Sequence, residues 1–189
     1  MFKIDEGLSA TMEILVLLGS AHVNGTSATL AQNFIRGAEE AGHHVTSINC
    51  AKLNVHPCIG CNNCLQHGVC VWTDDMPSVE QAVKNADAIV FVSPVYFFGI
   101  TAQLKTVVDR FYPIARNLME RKPKLGIITA AGEQVYSSTG AVMHWFDEFL
   151  KYTGCVSLGS VNAVNTLTPA DLQGTAYPDQ AYRFGKSIS

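Results

Sequence analysis

Short apolar runs alternate with helical patterns along most of the chain. Five runs have the length and composition of strands, namely 13–19, 44–50, 87–93, 124–129 and 154–158. The first of them, EILVLLG, is almost continuously apolar, which is typical of a strand buried on both faces of a sheet. Between the runs, apolar residues recur at helical spacing over 26–41, 77–85, 100–112 and 138–153. This alternation predicts a parallel sheet with helices on both faces.

The number of strands selects the fold. With five strands, we predict a flavodoxin-like α/β fold, a doubly wound parallel sheet of order 2-1-3-4-5 in a three-layer α/β/α arrangement. The chain has 189 residues, of which 48% are hydrophobic and 15% charged, so it has ample material for one core. We expect a flexible leader over 1–11, the folded domain over 12–160 and a C-terminal tail over 161–189. The tail either belongs to the domain or packs on a partner subunit, and a short helix near 180–186 is predicted in it.

Charge and hydropathy exclude several classes of protein. A net charge of −3 provides no basic surface for nucleic acid or for an anionic membrane. No apolar run approaches the roughly 18 residues of a membrane-spanning helix. Residues 1–11 lack the basic start and the apolar stretch of a signal peptide. We therefore expect a cytoplasmic protein with neither nucleic-acid nor membrane partners.

The loop after the first strand, GSAHVNGTS, runs directly into the first helix. It is rich in hydroxyl groups and lacks Lys and Arg, so backbone N–H groups and side-chain hydroxyls at the helix start would hold an anion. Neither the Walker pattern nor GxGxxG is present, which favours a monophosphate. The other interpretation is a helix start capped by Thr26 or Asn24. The candidate cofactor contacts are Ser20, His22, Asn24, Thr26 and Ser27.

Two further loops follow the third and fourth strands at the same predicted edge of the sheet. The first contains three consecutive aromatic residues, which suit a flat apolar ligand, although each could instead pack in the core or at a subunit interface. Its candidate contacts are Pro94, Val95, Tyr96, Phe97, Phe98 and Gly99; those of the second are Ala131 and Gly132. Together the three loops could hold FMN, with the phosphate on the first loop and the ring on the others.

Four of the six cysteines fall in a long connection over 51–76. They are Cys58, Cys61, Cys64 and Cys70, and four thiolates at this spacing can bind one [4Fe–4S] cluster. Zinc, a redox pair of Cys61 and Cys64, and no metal at all are the alternatives. Cys50 and Cys155 stand apart, at the end of the second predicted strand and inside the fifth, and are predicted to be buried.

The roles of several other polar residues are less specific. Asp74 and Asp75 could bind a metal or transfer protons, but we favour Asp75 as the cap of the helix that follows. Lys105 and Arg110 are interpreted as surface or interface charges. The residues Tyr136, Ser137 and Ser138 could reach a flavin or a substrate.

Three segments resemble those of the NADPH-dependent FMN reductase and flavodoxin-like superfamily. GSAHVNGTSATLA resembles its phosphate loop, SPVYFFGITAQLKTVVDR is very similar to its ring segment, and PCIGCNNCLQHGVCVWTDDM resembles the cysteine segment of its iron–sulfur flavoprotein branch. Placed by the resemblance, Ser20, Asn24, Thr26 and Ser27 would contact the FMN phosphate, residues 94–98 would line the ring and Gly132 would close the far side. The sequence departs from the family at Ala21-His22-Val23, where Pro followed by Arg or Lys is common, so cationic help to the phosphate is missing.

The resemblance also implies an activity. It implies an FMN-dependent NAD(P)H oxidoreductase of the flavin or quinone reductase type, with or without a [4Fe–4S] cluster that relays single electrons. The acceptor would be a small molecule or a protein, and the assembly a homodimer or homotetramer. We assign no catalytic side chain, because the flavin supplies the chemistry. The alternatives are a non-enzymatic electron-transfer flavoprotein and a metal-binding module with a vestigial flavin site.

Overall fold

The computed structural model describes residues 10–133 and 137–189, and its five strands form one parallel sheet. The strands are β1 (Glu13–Leu18), β2 (His44–Asn49), β3 (Ala88–Pro94), β4 (Lys124–Ala130) and β5 (Ser157–Ala163). Their order is β2-β1-β3-β4-β5, and every neighbouring pair is parallel. The predicted flavodoxin-like fold and strand order are therefore confirmed.

Helices cover both faces of this sheet. They are α1 (Thr26–Glu40), α2 (Asn63–His67), α3 (Met76–Asn85), α4 (Ala102–Asp109), α5 (Ala115–Arg121), α6 (Ser137–Thr153) and α7 (Tyr177–Lys186). Single 3₁₀ turns lie at Cys50–Lys52, Tyr112–Ile114 and Pro169–Leu172. In the described residues, no helix is long and apolar enough to cross a membrane.

The core has two halves because the side chains of a strand alternate between the faces of the sheet. In β1, Leu15 and Leu17 pack on the face covered by α3, α4 and α6, whereas Ile14 and Val16 pack on the face covered by α1 and α7. All four side chains are at most 1% exposed. A strand buried on both faces agrees with the apolar run from which β1 was predicted.

The fifth strand lies later in the chain than predicted. Gly154 adopts φ = +68° after α6, and β5 begins at Ser157 and continues to Ala163. Cys155 is consequently not a strand residue, although it is buried, at 9% exposed. The apolar residues of 154–158 suggested a strand that ends at 158, but the β4–β5 ladder contains a register shift near Gly159 and continues through polar residues.

Other elements were missed or differ in extent. The predicted helix over 100–112 is shorter, since Thr101 caps it and α4 ends at Asp109. The short helices α2 and α5 and the turn Pro169–Leu172 were not predicted. In the C-terminal segment, α7 begins at Tyr177, three residues before the helix predicted there, and packs on α1.

Candidate functional site

The carboxyl ends of β1, β3, β4 and β5 surround one cavity of about 1010 Å³. Four segments line it: 20–27, 94–98, 130–133 with Ser138, and 166–169. The predicted flavin contacts on this cavity are Ser20, His22, Asn24, Thr26, Ser27, Pro94, Val95, Tyr96, Phe97, Phe98, Ala131 and Gly132. Gly99 is not among the lining residues. The fold thus gathers the three predicted loops at one edge of the sheet, as expected for an open α/β protein.

The first loop is held in place by contacts from its neighbours. The Gly19 N–H donates to Val92 O at 2.7 Å, and the Thr101 hydroxyl donates to Gly19 O at 2.7 Å. A Cβ on Gly19 would lie only 2.5 Å from Thr101 Oγ1, so this position requires glycine. Thr101 was not predicted as a site residue. Its only sequence signal is a hydroxyl just before a helix, which is equally typical of an ordinary cap.

The start of α1 is open toward the cavity. Gly25 occupies the N-cap position, no side chain caps the helix, and its first turn has no acidic residue. The predicted alternative, a cap by Thr26 or Asn24, is therefore wrong. Thr26 is 7% exposed, and its Oγ1 is buried with no hydrogen-bond partner in the described residues. A buried hydroxyl without a partner beside the N-terminal N–H groups of a helix is the arrangement that an anion would complete.

The second loop presents its aromatic residues to solvent. Tyr96 and Gly99 exchange two backbone hydrogen bonds of 3.0 Å, which close a tight turn. Phe97 and Phe98, at the tip of this turn, have φ values of +47° and +65°. Both side chains are exposed, Phe97 completely, so the alternative that they pack in the core is wrong. Positive φ is unfavourable for bulky residues, and such strain is usually found where it serves a site.

The far rim combines the loop after β4 with the segment after β5. The Ala131 N–H donates to Ala163 O at 2.8 Å and the Thr166 N–H donates to Ala131 O at 2.9 Å. A Cβ on Gly132 would approach Leu167 to 3.0 Å, so the two segments are in contact. Residues 166–169 were missed because β5 was predicted to end at 158. Ser138, at the start of α6, is buried and lines the cavity, whereas Tyr136 and the side chain of Ser137 lie outside the described residues.

The cavity lining contains few charges. Among its described residues, Glu133 is the one carboxylate, His22 is the one basic side chain, and there is no Lys or Arg. A bound anion would therefore be held by backbone N–H groups and hydroxyls, as the sequence of the first loop indicates.

The four clustered cysteines line a second, smaller cavity of about 200 Å³. Cys58 and Cys61 are exposed, Cys64 on α2 and Cys70 are half-buried, and all four thiols are unpaired. In the part of the chain that the structure describes, no three Cys, His, Asp or Glu side chains are grouped closely enough to hold a metal ion. Four thiols on one cavity do match the donor number of a [4Fe–4S] cluster, whose corners hold the sulfurs farther apart than a single ion does.

The two remaining cysteines are separate from this cavity. Cys50 is 3% exposed and Cys155 is 9% exposed, as predicted for buried residues. Burial raises the pKa of the Cys50 thiol to about 12 and also raises the pKa of Cys155. Both stay neutral thiols at physiological pH.

The ends of the cysteine loop are joined by a buried ion pair. The Arg110 guanidinium donates from Nη1 to Asp74 Oδ2 at 2.7 Å and from Nη2 to Asp74 Oδ1 at 3.3 Å. Asp74 also accepts from the backbone N–H groups of His56 and Met76, and Arg110 Nη1 donates to His56 O at 2.8 Å. The His56 ring stacks on Trp72, with 4.4 Å between centroids. We call Asp74, Arg110, His56 and Trp72 the loop clasp.

Two predictions fail at this clasp. Arg110 was expected on the surface or at an interface, but it is 2% exposed. Asp75 occupies the predicted N-cap position of α3, but its carboxylate makes no cap hydrogen bond. It accepts from the Asn54 N–H instead, and Asp74 accepts from the Met76 N–H at the helix start. Lys105, in contrast, is a half-buried residue at the surface and pairs with Asp109 on α4. No sequence pattern indicates that Arg110 and Asp74, 36 positions apart, form an ion pair.

The charge states of the clasp follow from these contacts. Burial alone would raise the pKa of Asp74, but hydrogen bonds from Arg110, His56 and Met76 outweigh it and lower the pKa to about 2. Burial likewise opposes the charge of Arg110, yet the hydrogen bonds and charge of Asp74 raise its pKa. Both groups are ionised at physiological pH, so metal binding or proton transfer by Asp74 would require breaking the pair.

A parallel sheet of order 2-1-3-4-5, with an uncapped helix start and exposed aromatic residues around a cavity at its carboxyl edge, defines a flavodoxin-like protein. Comparison with known proteins specifies the family. The model of the NADPH-dependent FMN reductase family matches residues 12–167, and the chain belongs to this family.

Individual relatives extend this comparison. The chain is 30% identical over 151 residues to an iron–sulfur flavoprotein of Archaeoglobus fulgidus, with 78% of this chain and 66% of that protein covered. It is 35% identical over 121 residues to one of Methanocaldococcus jannaschii, with 64% and 62% covered. The chain thus spans slightly less than two thirds of these relatives. In structure it is similar to an NAD(P)H:quinone oxidoreductase of Methanothermobacter marburgensis (TM-score 0.71, 18% identity, 94% and 96% covered).

Proposed function

We propose that this protein binds FMN in the cavity at the carboxyl edge of the sheet and transfers electrons from NADH or NADPH to an acceptor. The observation that carries the proposal is the buried Thr26 hydroxyl, which has no partner within the described residues at the uncapped start of α1. The membership of the chain in the NADPH-dependent FMN reductase family supports the same cofactor.

Each part of the cavity has a role in this function. The hydroxyls of Ser20, Thr26 and Ser27 and the N–H groups at the start of α1 would hold the phosphate. The second loop would line the ring, with the aromatic side chains of Tyr96, Phe97 and Phe98 limiting the access of water. FMN, when bound, accepts a hydride as an electron pair and can release electrons one or two at a time. The protein then contributes position and exclusion of water, and no side chain is needed as a nucleophile.

The acceptor and the reductant are part of the proposal. Because the described lining has no Lys or Arg that would recognise the 2′-phosphate of NADPH, both NADH and NADPH are proposed as reductants. A quinone is the proposed test acceptor, since one structurally similar protein is an NAD(P)H:quinone oxidoreductase. Homodimers or homotetramers remain part of the expectation from the family resemblance.

We further propose that Cys58, Cys61, Cys64 and Cys70 bind one [4Fe–4S] cluster. In support, the four unpaired thiols line one cavity, and two relatives are named iron–sulfur flavoproteins. The cluster, when bound, exchanges single electrons and would connect the flavin to a one-electron acceptor. The chain's own contribution is the loop clasp, which holds both ends of the cysteine segment next to α4.

The variant Thr26→Val tests the flavin site. The substitution keeps the shape of the side chain and replaces only the hydroxyl, by a methyl group. We therefore expect FMN to bind about 10- to 100-fold more weakly, the range for a hydrogen bond to a charged group. Because Thr26 Oγ1 has no partner in the described protein, the stability of the flavin-free protein should not fall. Binding is measured by quenching of flavin fluorescence, and turnover by oxidation of NADH and NADPH with a quinone.

Riboflavin is the matched control, because it has the same ring and no phosphate. Thr26→Val should leave riboflavin affinity unchanged, and quinone reduction by the variant should recover at saturating FMN. Equal loss of affinity for FMN and riboflavin would place the phosphate elsewhere. Wild-type protein that binds FMN but oxidises neither nucleotide would be an electron carrier and not an enzyme.

Iron analysis tests the cluster. After anaerobic reconstitution with iron and sulfide, we expect about four iron atoms per chain, the content of one [4Fe–4S] cluster. Cys61→Ala should lose the iron while retaining FMN, whereas Cys50→Ala should retain both because Cys50 lies outside the cysteine cavity. Iron that survives Cys61→Ala, or a wild type that binds no iron, would refute the cluster.

A further inference from the structure

The buried guanidinium of Arg110 lies close to the cysteine cavity. None of the described residues that line this cavity is cationic. Arg110 follows α4 and donates to His56 O, two residues before Cys58, and Tyr112, two residues after Arg110, lines the cavity. It is also fixed in place, because the loop clasp holds it against the backbone of His56 and the side chain of Asp74. A fixed positive charge therefore lies at the base of the loop that carries the four candidate ligands.

The hydrogen bonds of Arg110 leave one donor unused. Nη1 donates to His56 O and Asp74 Oδ2, and Nη2 donates to Asp74 Oδ1. The Nε–H group is buried and has no acceptor among the described residues. A charged donor without an acceptor in a dry site is unfavourable, and negative charge nearby would relieve that cost.

Asp74 limits the distance over which the positive charge of Arg110 acts on other groups. Its carboxylate is fully buried and forms two hydrogen bonds with the guanidinium. At long range the two charges cancel, so only groups close to the guanidinium experience its field. Removing either member should therefore change the local charge by one unit, in opposite directions.

We infer that the Arg110–Asp74 pair sets the charge balance of the cysteine centre, with Arg110 stabilising the negative charge of the centre as a whole and Asp74 offsetting it. This inference rests on the proposed cluster. Reduction of a cluster adds one negative charge, and its potential depends on nearby charge and on hydrogen bonds to its sulfurs. Arg110 is thus a positioning residue that acts through the cysteine loop and through its charge.

The test measures the midpoint potential of the reconstituted wild type and of four variants by anaerobic titration. Arg110→Gln should shift the potential to more negative values, and Asp74→Asn should shift it to more positive values. Arg110→Lys keeps the charge and should stay close to the wild type. Arg121→Gln, which removes an exposed charge paired with Asp87, is the control and should not shift the potential.

The opposite directions of the two shifts in midpoint potential distinguish an effect of charge from a merely structural role. Both Arg110→Gln and Asp74→Asn break the same ion pair, so a structural role would move the potential in one direction or leave it unchanged, and either result would overturn the inference. Circular dichroism and FMN binding establish that each variant is folded. If Arg110→Gln does not fold, a shift of Asp74→Asn to a more positive potential supports the inference, and its absence refutes it.

The outcome for the wild type distinguishes this inference from the proposal on which it rests. A wild type without iron would refute the cluster and the inference together. If the wild type binds iron but the midpoint potentials of Arg110→Gln and Asp74→Asn do not shift in opposite directions, the inference alone is refuted.

Discussion

Replacing Asp74 with alanine should lower the free energy of unfolding by about 3–5 kcal/mol, because it leaves Arg110 buried without its counter-charge. Both side chains are almost inaccessible, at 0% and 2% exposed, and the loss also removes the acceptor of the His56 and Met76 N–H groups. Chemical denaturation measures this change. The matched control is Asp109→Ala, which breaks the solvent-accessible, half-buried pair with Lys105 and should cost at most about 1 kcal/mol.

The same variant should alter the pH dependence of stability. The pKa of Asp74 is about 2 in the folded protein, below the usual value of about 3.9 for an unfolded chain. The carboxylate therefore contributes stability that is fully present above about pH 4 and is lost as the pH falls toward 2. Asp74→Ala should lack that part of the acid dependence. An unchanged acid slope, or a loss no larger than that of Asp109→Ala, would contradict the assigned role of Asp74.

Replacing Gly185 with alanine should separate α7 from α1. A Cβ at this position would lie 2.0 Å from Phe34 O, and one at Gly37 would lie 2.1 Å from Tyr182 O. These neighbours are backbone atoms that cannot rotate away, so the helices must move apart. We expect a loss of about 3 kcal/mol, the upper end of the usual range for overpacking, measured as the free energy of unfolding.

Gly140, inside α6, is the matched control for this substitution. A Cβ there meets nothing within 4 Å in the described structure. Gly140→Ala should therefore be neutral or raise stability by up to about 1 kcal/mol, through helix propensity alone. If Gly185→Ala proved as harmless as Gly140→Ala, the close contact of the two helices would be wrong.

The features that could be predicted from the sequence are those encoded by local patterns. The apolar run that forms β1, the glycine after it and the hydroxyls before α1 all follow directly along the chain. Since parallel strands end at one edge of the sheet, predicting the strands also predicted that the three loops would meet there. The aromatic segment 96–98 was assigned to this edge for the same reason.

The features that could not be predicted depend on residues far apart in the chain. Arg110 follows the apolar stripe of α4, and its polar side chain alone suggests a surface position. Only the folded structure brings Asp74 next to Arg110. Both side chains are buried as an ion pair, so neither is the surface or site residue that its sequence position suggests. The segment 166–169 was missed for a different reason, because the polar second half of β5 has no strand pattern. The sequence shows the spacing of the cysteines but not the clasp that holds their loop.

The helix α4 also connects the two candidate sites. At its start, Thr101 holds Gly19 of the first loop, and just past its end Arg110 holds the base of the cysteine loop. Nine residue steps along a helix correspond to about 14 Å. Because the rate of electron tunnelling falls steeply with distance, a helix that contacts both loops would make the separation of the proposed flavin and cluster, and hence the rate of electron exchange between them, insensitive to movements of the surface loops.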